Sequence, residues 1–133
     1  MSRAVWERRA WDAEAAAALG DLIDGDREAV LADLAAGRAE LWRVRGPGYA
    51  GWLITRVEAM RDGTLELVLV AGRGRGMAAA MPHLVEAARA TGCRRIRAHS
   101  HRPGYGRFVA AMGFRLLEQV FVLDLDEAEE TAA

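Results

Sequence analysis

Leu65-Glu66-Leu67-Val68-Leu69-Val70-Ala71-Gly72-Arg73-Gly74-Arg75-Gly76-Met77-Ala78 is the stretch on which the fold turns. Its first six residues are apolar except Glu66, which predicts a strand covered on both faces. Glycines then interrupt the run, and a different period begins. Met77, Met81, Leu84, Val85 and Ala88 fall on one helical stripe, with Glu86 and Arg89 off it. A strand, a glycine loop and a helix in that order expose backbone N–H groups at the positive end of a helix dipole. Glycine lets that backbone approach a phosphate closely, and Arg73 and Arg75 add positive charge. The predicted guest is an anion, a pyrophosphate above all.

Upstream, Glu40–Arg45 and Tyr49–Glu58 read as strands around the turn Gly46-Pro47-Gly48, and Asp62-Gly63 leads into the third. Trp42 and Trp52 are expected to pair across this hairpin as packing. Before them, Asp12–Ile23 and Glu28–Ala36 read as helices, with Asp26 as an N-cap and Gly37 as a stop. The N-terminal residues Met1–Arg9 are polar and mixed in charge. Downstream, Arg94–Ala98 is a short strand, and Tyr105, Phe108, Val109 and Met112 share one side of a short helix stopped by Gly113. Phe114–Leu125 is predicted as a long final strand. The order α-α-β-β-β-α-β-α-β implies an α+β fold, a central mixed sheet flanked by helices. Residues 1–125 are expected to form one domain, and 126–133 an acidic tail.

Three phosphate-binding patterns compete for the loop. A Walker A loop needs a Lys after its last glycine, and all 18 basic residues here are Arg. The Rossmann pattern fits loosely as Gly74, Gly76 and Ala79, but the next strand offers arginines where the ribose needs an acid. The third pattern fits best. Arg73-Gly74-Arg75-Gly76-Met77-Ala78 resembles the signature of the GNAT (Gcn5-related N-acetyltransferase) superfamily: Gln or Arg, two residues, Gly, one residue, then Gly or Ala. Gly92-Cys93-Arg94-Arg95-Ile96 is similar to the helix exit and fifth strand of that family, and Ala111-Met112-Gly113-Phe114 to the end of its last helix.

The resemblance implies an acetyl-CoA-dependent N-acetyltransferase whose acceptor is an amine of a small molecule or a protein. It implies strands that splay apart, with the cofactor held by Val68, Leu69 and Val70 along the strand and by Arg73, Gly74, Arg75, Gly76, Met77 and Ala78 at the loop. A backbone N–H near Val68 would serve as the oxyanion donor. For proton transfer, Glu66 is the expected base, since some members use a Glu on this strand and desolvation would raise its pKa. Tyr105 is the nearest phenol for the acid, because Val109 stands where many members carry a Tyr. His99 and His101 lie where the fifth strand ends, near the expected acceptor, and His83 is expected to be exposed.

Composition bounds the rest. At 133 residues with 52% hydrophobic and 28% charged residues the chain is an ordinary globular one, and no apolar run approaches a membrane span. A net charge of −1 gives no basis for nucleic-acid binding, and the lone Cys93 supports neither a disulfide nor a metal cluster. Arginine in place of every lysine, with abundant Ala and Gly, points to a GC-rich bacterial or phage gene. The expected setting is soluble and cytoplasmic, and a homodimer is compatible with it. The alternative is a non-enzymatic GNAT-fold component of a virion, associated with other virion proteins.

Overall fold

The computed structural model describes residues 3–99 and 105–125, with the backbone alone at Tyr105. The chain falls into two compact units, Met1–Ser100 and His101–Ala133.

In the first unit, strand β1 (Val5–Arg9) is followed by helix α1 (Ala13–Leu19) and 3₁₀ turns over Gly20–Leu22 and Asp24–Asp26. Then come α2 (Arg27–Ala36), β2 (Ala39–Gly46), β3 (Tyr49–Ala59) and β4 (Leu65–Arg75). A 3₁₀ turn (Met77–Ala80) leads into α3 (Met81–Ala90), and β5 (Cys93–Ala98) closes the unit. The five strands lie in sequence order, antiparallel from β1 to β4 and parallel between β4 and β5. The result is the expected mixed sheet flanked by helices.

Apolar side chains cover both faces. On one, Ala15, Leu19, Ile23 and Val30 of the N-terminal helical segment pack with Leu41, Trp52 and Ile54. On the other, Leu67 meets Leu84 and Ala88 of α3, and Val44, Tyr49 and Leu53 meet Ala80. The reading of β4 as a strand covered on both faces holds, since Leu67 joins the α3 side and Val70 and Ala71 the α1 side.

Three expectations need correction. The polar N-terminus contains β1, an edge strand whose Glu7 and Arg8 stay in water while Trp6 turns inward; charge on an edge strand blunts further pairing. Trp42 and Trp52 do not pair. Register sets Trp42 against Leu53 and Arg43 against Trp52, so the two indoles lie on opposite faces. In the second unit, α4 (Tyr105–Ala110) and a turn ending at Gly113 are followed by 114–124 without strand pairing. Phe114–Leu125 has the side chains of a strand but no strand paired with it among the described residues, and Val120, Phe121, Val122 and Leu123 are exposed.

Asp12 starts α1. Its carboxylate accepts the Ala15 N–H at 2.9 Å and an Arg9 N–H at 3.2 Å. The Ala15 amide first, then Arg9, holds the carboxyl below its ordinary value of 3.8. Because the folded pKa is the lower one, the cap is fully effective above the unfolded value and is lost as pH falls through the folded value. Asp12→Ala is therefore expected to lower the melting temperature by a few degrees near neutrality, with the gap closing towards about pH 3 in a calorimetric pH series. A gap independent of pH would remove the charge from the explanation.

Candidate active site at the end of the parallel strand pair

The site is built where β4 outruns β5. The parallel ladder ends at Leu69↔Ala98, whereas β4 continues to Arg75 with β3 alone beside it among the described residues. At the same point the β3–β4 register slips: Ile54 faces Ala71 and Thr55 faces Leu69, leaving Val70 as the extra residue of a bulge. A bulge bends the strand that carries it. The edge from Val70 onward thus offers backbone groups to something other than this sheet.

The loop is shorter than the sequence implies. Arg73, Gly74 and Arg75 belong to β4, paired with Trp52, Gly51 and Ala50. Only Gly76 is a loop residue, with φ +63°, before the turn that opens with Met77. Its missing side chain answers to the protein itself, because a Cβ there would collide with the Gly48 carbonyl of the β2–β3 turn. Gly51 and Gly74 likewise meet backbone to backbone, with the Met77 thioether packed over both. The first closed amide of the turn is Ala79, bonded to the Gly76 carbonyl at 2.9 Å. The N–H groups of Gly76, Met77 and Ala78 precede it and have no intrahelical acceptor. Those three amides are the candidate anion seat.

Arg73 is not part of that seat. Its guanidinium forms a bidentate pair with Asp21 at 2.6 and 2.9 Å and donates to the Ala18 carbonyl at 3.1 Å, tying β4 to the end of α1. Asp21 pushes the Arg73 pKa up. The side chain works as a clamp between elements.

Glu66 departs furthest from expectation. It is only 3% exposed and bonded to Arg95, and the Arg97 Nε lies 2.7 Å from its other oxygen. That Nε is off the hydrogen-bond line, so the second contact is Coulombic. Arg97 also reaches Glu58 at 2.7 Å, Glu58 pairs with Arg56 at 2.7 Å, and Arg56 stands 3.8 Å from Asp33 of α2. A base must reach substrate; Glu66 is buried, and each of its oxygens faces an arginine.

His99 follows Ala98 directly and is exposed at the point where the ladder stops. His83 is exposed on α3 as expected, and its Nδ1 lies 3.2 Å from the Tyr49 hydroxyl, which also accepts the Trp6 indole N–H at 2.8 Å. This contact has no sequence signal, since its three members come from separate elements. Tyr105 opens α4, and its ring and His101 lie outside the described side chains.

No family model and no curated protein matches the sequence. Solved structures do match in shape. An acetyltransferase of Trypanosoma brucei aligns with 90% of this chain and 99% of its own at a TM-score of 0.57 and 19% identity. AAC(6′)-Iy, solved with the bisubstrate analogue CoA-S-monomethyl-acetylneamine, aligns with 92% and 98% at a TM-score of 0.56 and 16% identity. A glucosamine-6-phosphate N-acetyltransferase from Arabidopsis thaliana aligns with 90% and 99% at a TM-score of 0.52 and 9% identity. The fold is the GNAT fold. At these identities the likeness is one of GNAT architecture and says nothing of acceptor. Among the described residues no helix is long and apolar enough to cross a membrane.

Replacing Glu66 should expose its structural role. Glu66→Gln leaves Arg95 without a counter-charge and Arg97 with Glu58 alone, and is expected to destabilise by roughly 1–3 kcal/mol, discounted for the partial exposure of both arginines. Denaturant unfolding measures it. A stable variant with collapsed turnover per folded molecule would restore Glu66 as the base.

Proposed function

We propose that this chain is an acetyl-CoA-dependent N-acetyltransferase acting on an amine of a small molecule or a protein. The observation that supports it most is the β4 edge, which has no strand on its β5 side from Val70 to Arg75 among the described residues and runs into the Gly76–Ala78 amides. Pantetheine carries amides spaced along an extended chain, and an open strand edge binds such a chain as it would an added strand. Val70 and the residues after it are the ones for that pairing, since Val68 and Leu69, expected there from the sequence, are already flanked by Arg97 and Ala98 of β5. The three amides at the start of the Met77 turn suit a pyrophosphate, with Gly76 shaping the approach.

Bound acetyl-CoA would supply the activated acetyl thioester. The chain's own residues supply the surroundings. Val70, without a partner in β3, has an N–H suited to a carbonyl oxygen that gains charge during transfer. Val68, buried at 2% exposure, keeps water from that side of the strand. The amine must lose a proton, and with Glu66 engaged, His99 at the strand end is the residue we assign to take it.

Isothermal titration with acetyl-CoA tests the reading directly; absence of binding at millimolar ligand ends it. Ala78→Glu isolates the anion seat. A carboxylate in the first turn suits the helix dipole, so the fold should hold its melting temperature while acetyl-CoA affinity falls at least about tenfold. For the base, His99→Ala should reduce kcat about a hundredfold with the melting temperature and acetyl-CoA affinity kept. An unchanged kcat would move the base elsewhere.

A further inference from the structure

On the sheet face that carries α1 and α2, two rungs at the β2–β3 hairpin end are rich in arginine. Register places Val5, Arg45, Ala50 and Arg75 side by side on β1 to β4, and Glu7, Arg43, Trp52 and Arg73 on the next rung. Directly paired residues point to the same face, so four guanidiniums from β2 and β4 flank a small residue and an indole of β3. The following rung, Arg9, Leu41, Ile54 and Ala71, is where the apolar core under the helices begins. Arg45 and Arg75 are exposed beyond that cover.

The acids nearby are committed. Glu7 pairs with Arg9, and Asp21 with Arg73. Among the described residues no ion pair reaches Arg43, Arg45 or Arg75; Arg43 lies over the Trp52 ring at 5.1 Å. Arg45 and Arg75 sit two strands apart, about 10 Å between backbones, with only Ala50 between them. In a chain of net charge −1, three unneutralised arginines on one shelf form a local positive field that an anionic partner would relieve.

Distance selects the partner. From Val70, where the amine would react, to Arg75 is five strand steps, roughly 16 Å. A small amine with one acidic group does not span that distance, whereas an extended peptide covers it in about five residues. We propose that the shelf formed by Arg43, Arg45 and Arg75 binds the acidic side chains of an extended peptide, so that the acceptor is a peptide or protein amine with carboxylates about five residues from it. This rests on the acetyl-transfer reading for the position of the amine, but the shelf itself does not.

The test is fluorescence anisotropy with a ten-residue peptide, free at its amino terminus, labelled at its C-terminus and carrying glutamates at its fourth to seventh positions. The matched peptide with glutamines is the control. The glutamate peptide is expected to bind at least about tenfold more tightly than the control, with affinity falling as salt rises, and Arg45→Glu to remove about tenfold of it. Arg45→Ser, a milder change, should lie between. Both variants should keep the parent's melting temperature and its acetyl-CoA affinity. Equal binding of the two peptides, no binding, or an unaltered affinity in Arg45→Glu overturns the proposal. So does tighter binding of a ten-residue oligothymidylate, which would make the shelf a nucleic-acid surface. If acetyl-CoA fails to bind while the glutamate peptide binds as expected, the acetyl-transfer reading falls and the acidic-peptide shelf stands.

Discussion

A carboxylate buried inside a sheet commits the strands around it. Glu66, removed from water, would cost several kcal/mol without neutralisation, and both arginines that neutralise it come from β5. They are alternate residues on one face, and only the parallel register Glu66↔Arg95, Val68↔Arg97 brings both to the same carboxylate. Slipping β5 by one residue would send them to the opposite, apolar face against Leu84 and Ala88 of α3. The pair therefore fixes how far along β4 the fifth strand reaches. Where that reach ends, at Leu69↔Ala98, the open edge begins. The ion pairs extend from Glu66 through Arg97, Glu58 and Arg56 to Asp33, alternating in sign, so α2 is bound to the same constraint.

The edge is kept open from the other side as well. Val70 bulges out of register with β3 immediately after the last β4–β5 pair, and beyond it Gly74 lies against Gly51 with Met77 over both. Side chains at either glycine would separate β3 from β4 at the point where the chain must turn back into α3. The glycines thus serve strand contact and the tight return at Gly76, and the exposed amides follow from that return. The Arg73–Asp21 clamp secures the same end of β4 to the end of α1. One short region depends on a bulge, a glycine pair and a clamp, each from a different kind of interaction.

Much of this was legible in the sequence where the relevant interactions are local. Glycine at 37 ends α2 in the left-handed region, and the turns at 48 and 63 do the same for the hairpins. The helical stripe from Met77 and the apolar run of β4 also follow from neighbours within a few residues. What was hidden is what depends on distant partners. A glutamate in an apolar strand looks the same whether it is a base or one end of an ion pair; Arg95 and Arg97 decide, 29 residues or more away. Glycine-rich composition made Gly72–Arg75 look like loop, because the pairing that makes it strand is supplied by Ala50–Leu53. Edge strand β1 was obscured by the same charges that suit it to an edge, and 114–124 carries strand side chains without a strand beside it.

The Trp6–Tyr49–His83 contact narrows the choice of proton acceptor by a different route. An indole N–H can only donate, so the Tyr49 oxygen accepts from Trp6. Among the described residues the His83 Nδ1 is its other partner, at 3.2 Å, donor or acceptor according to the imidazole tautomer. In that arrangement Nδ1 is occupied by the hydroxyl of a residue that is itself 2% exposed. The three side chains join the edge strand, the central strand and the first turn of α3, so the imidazole helps hold the segment that carries the Gly76–Ala78 amides. A residue engaged in that way is poorly placed to exchange protons with a substrate. With His83 held by Tyr49 and Glu66 buried against two arginines, His99 is the described residue that combines access, position at the strand end and a titratable nitrogen.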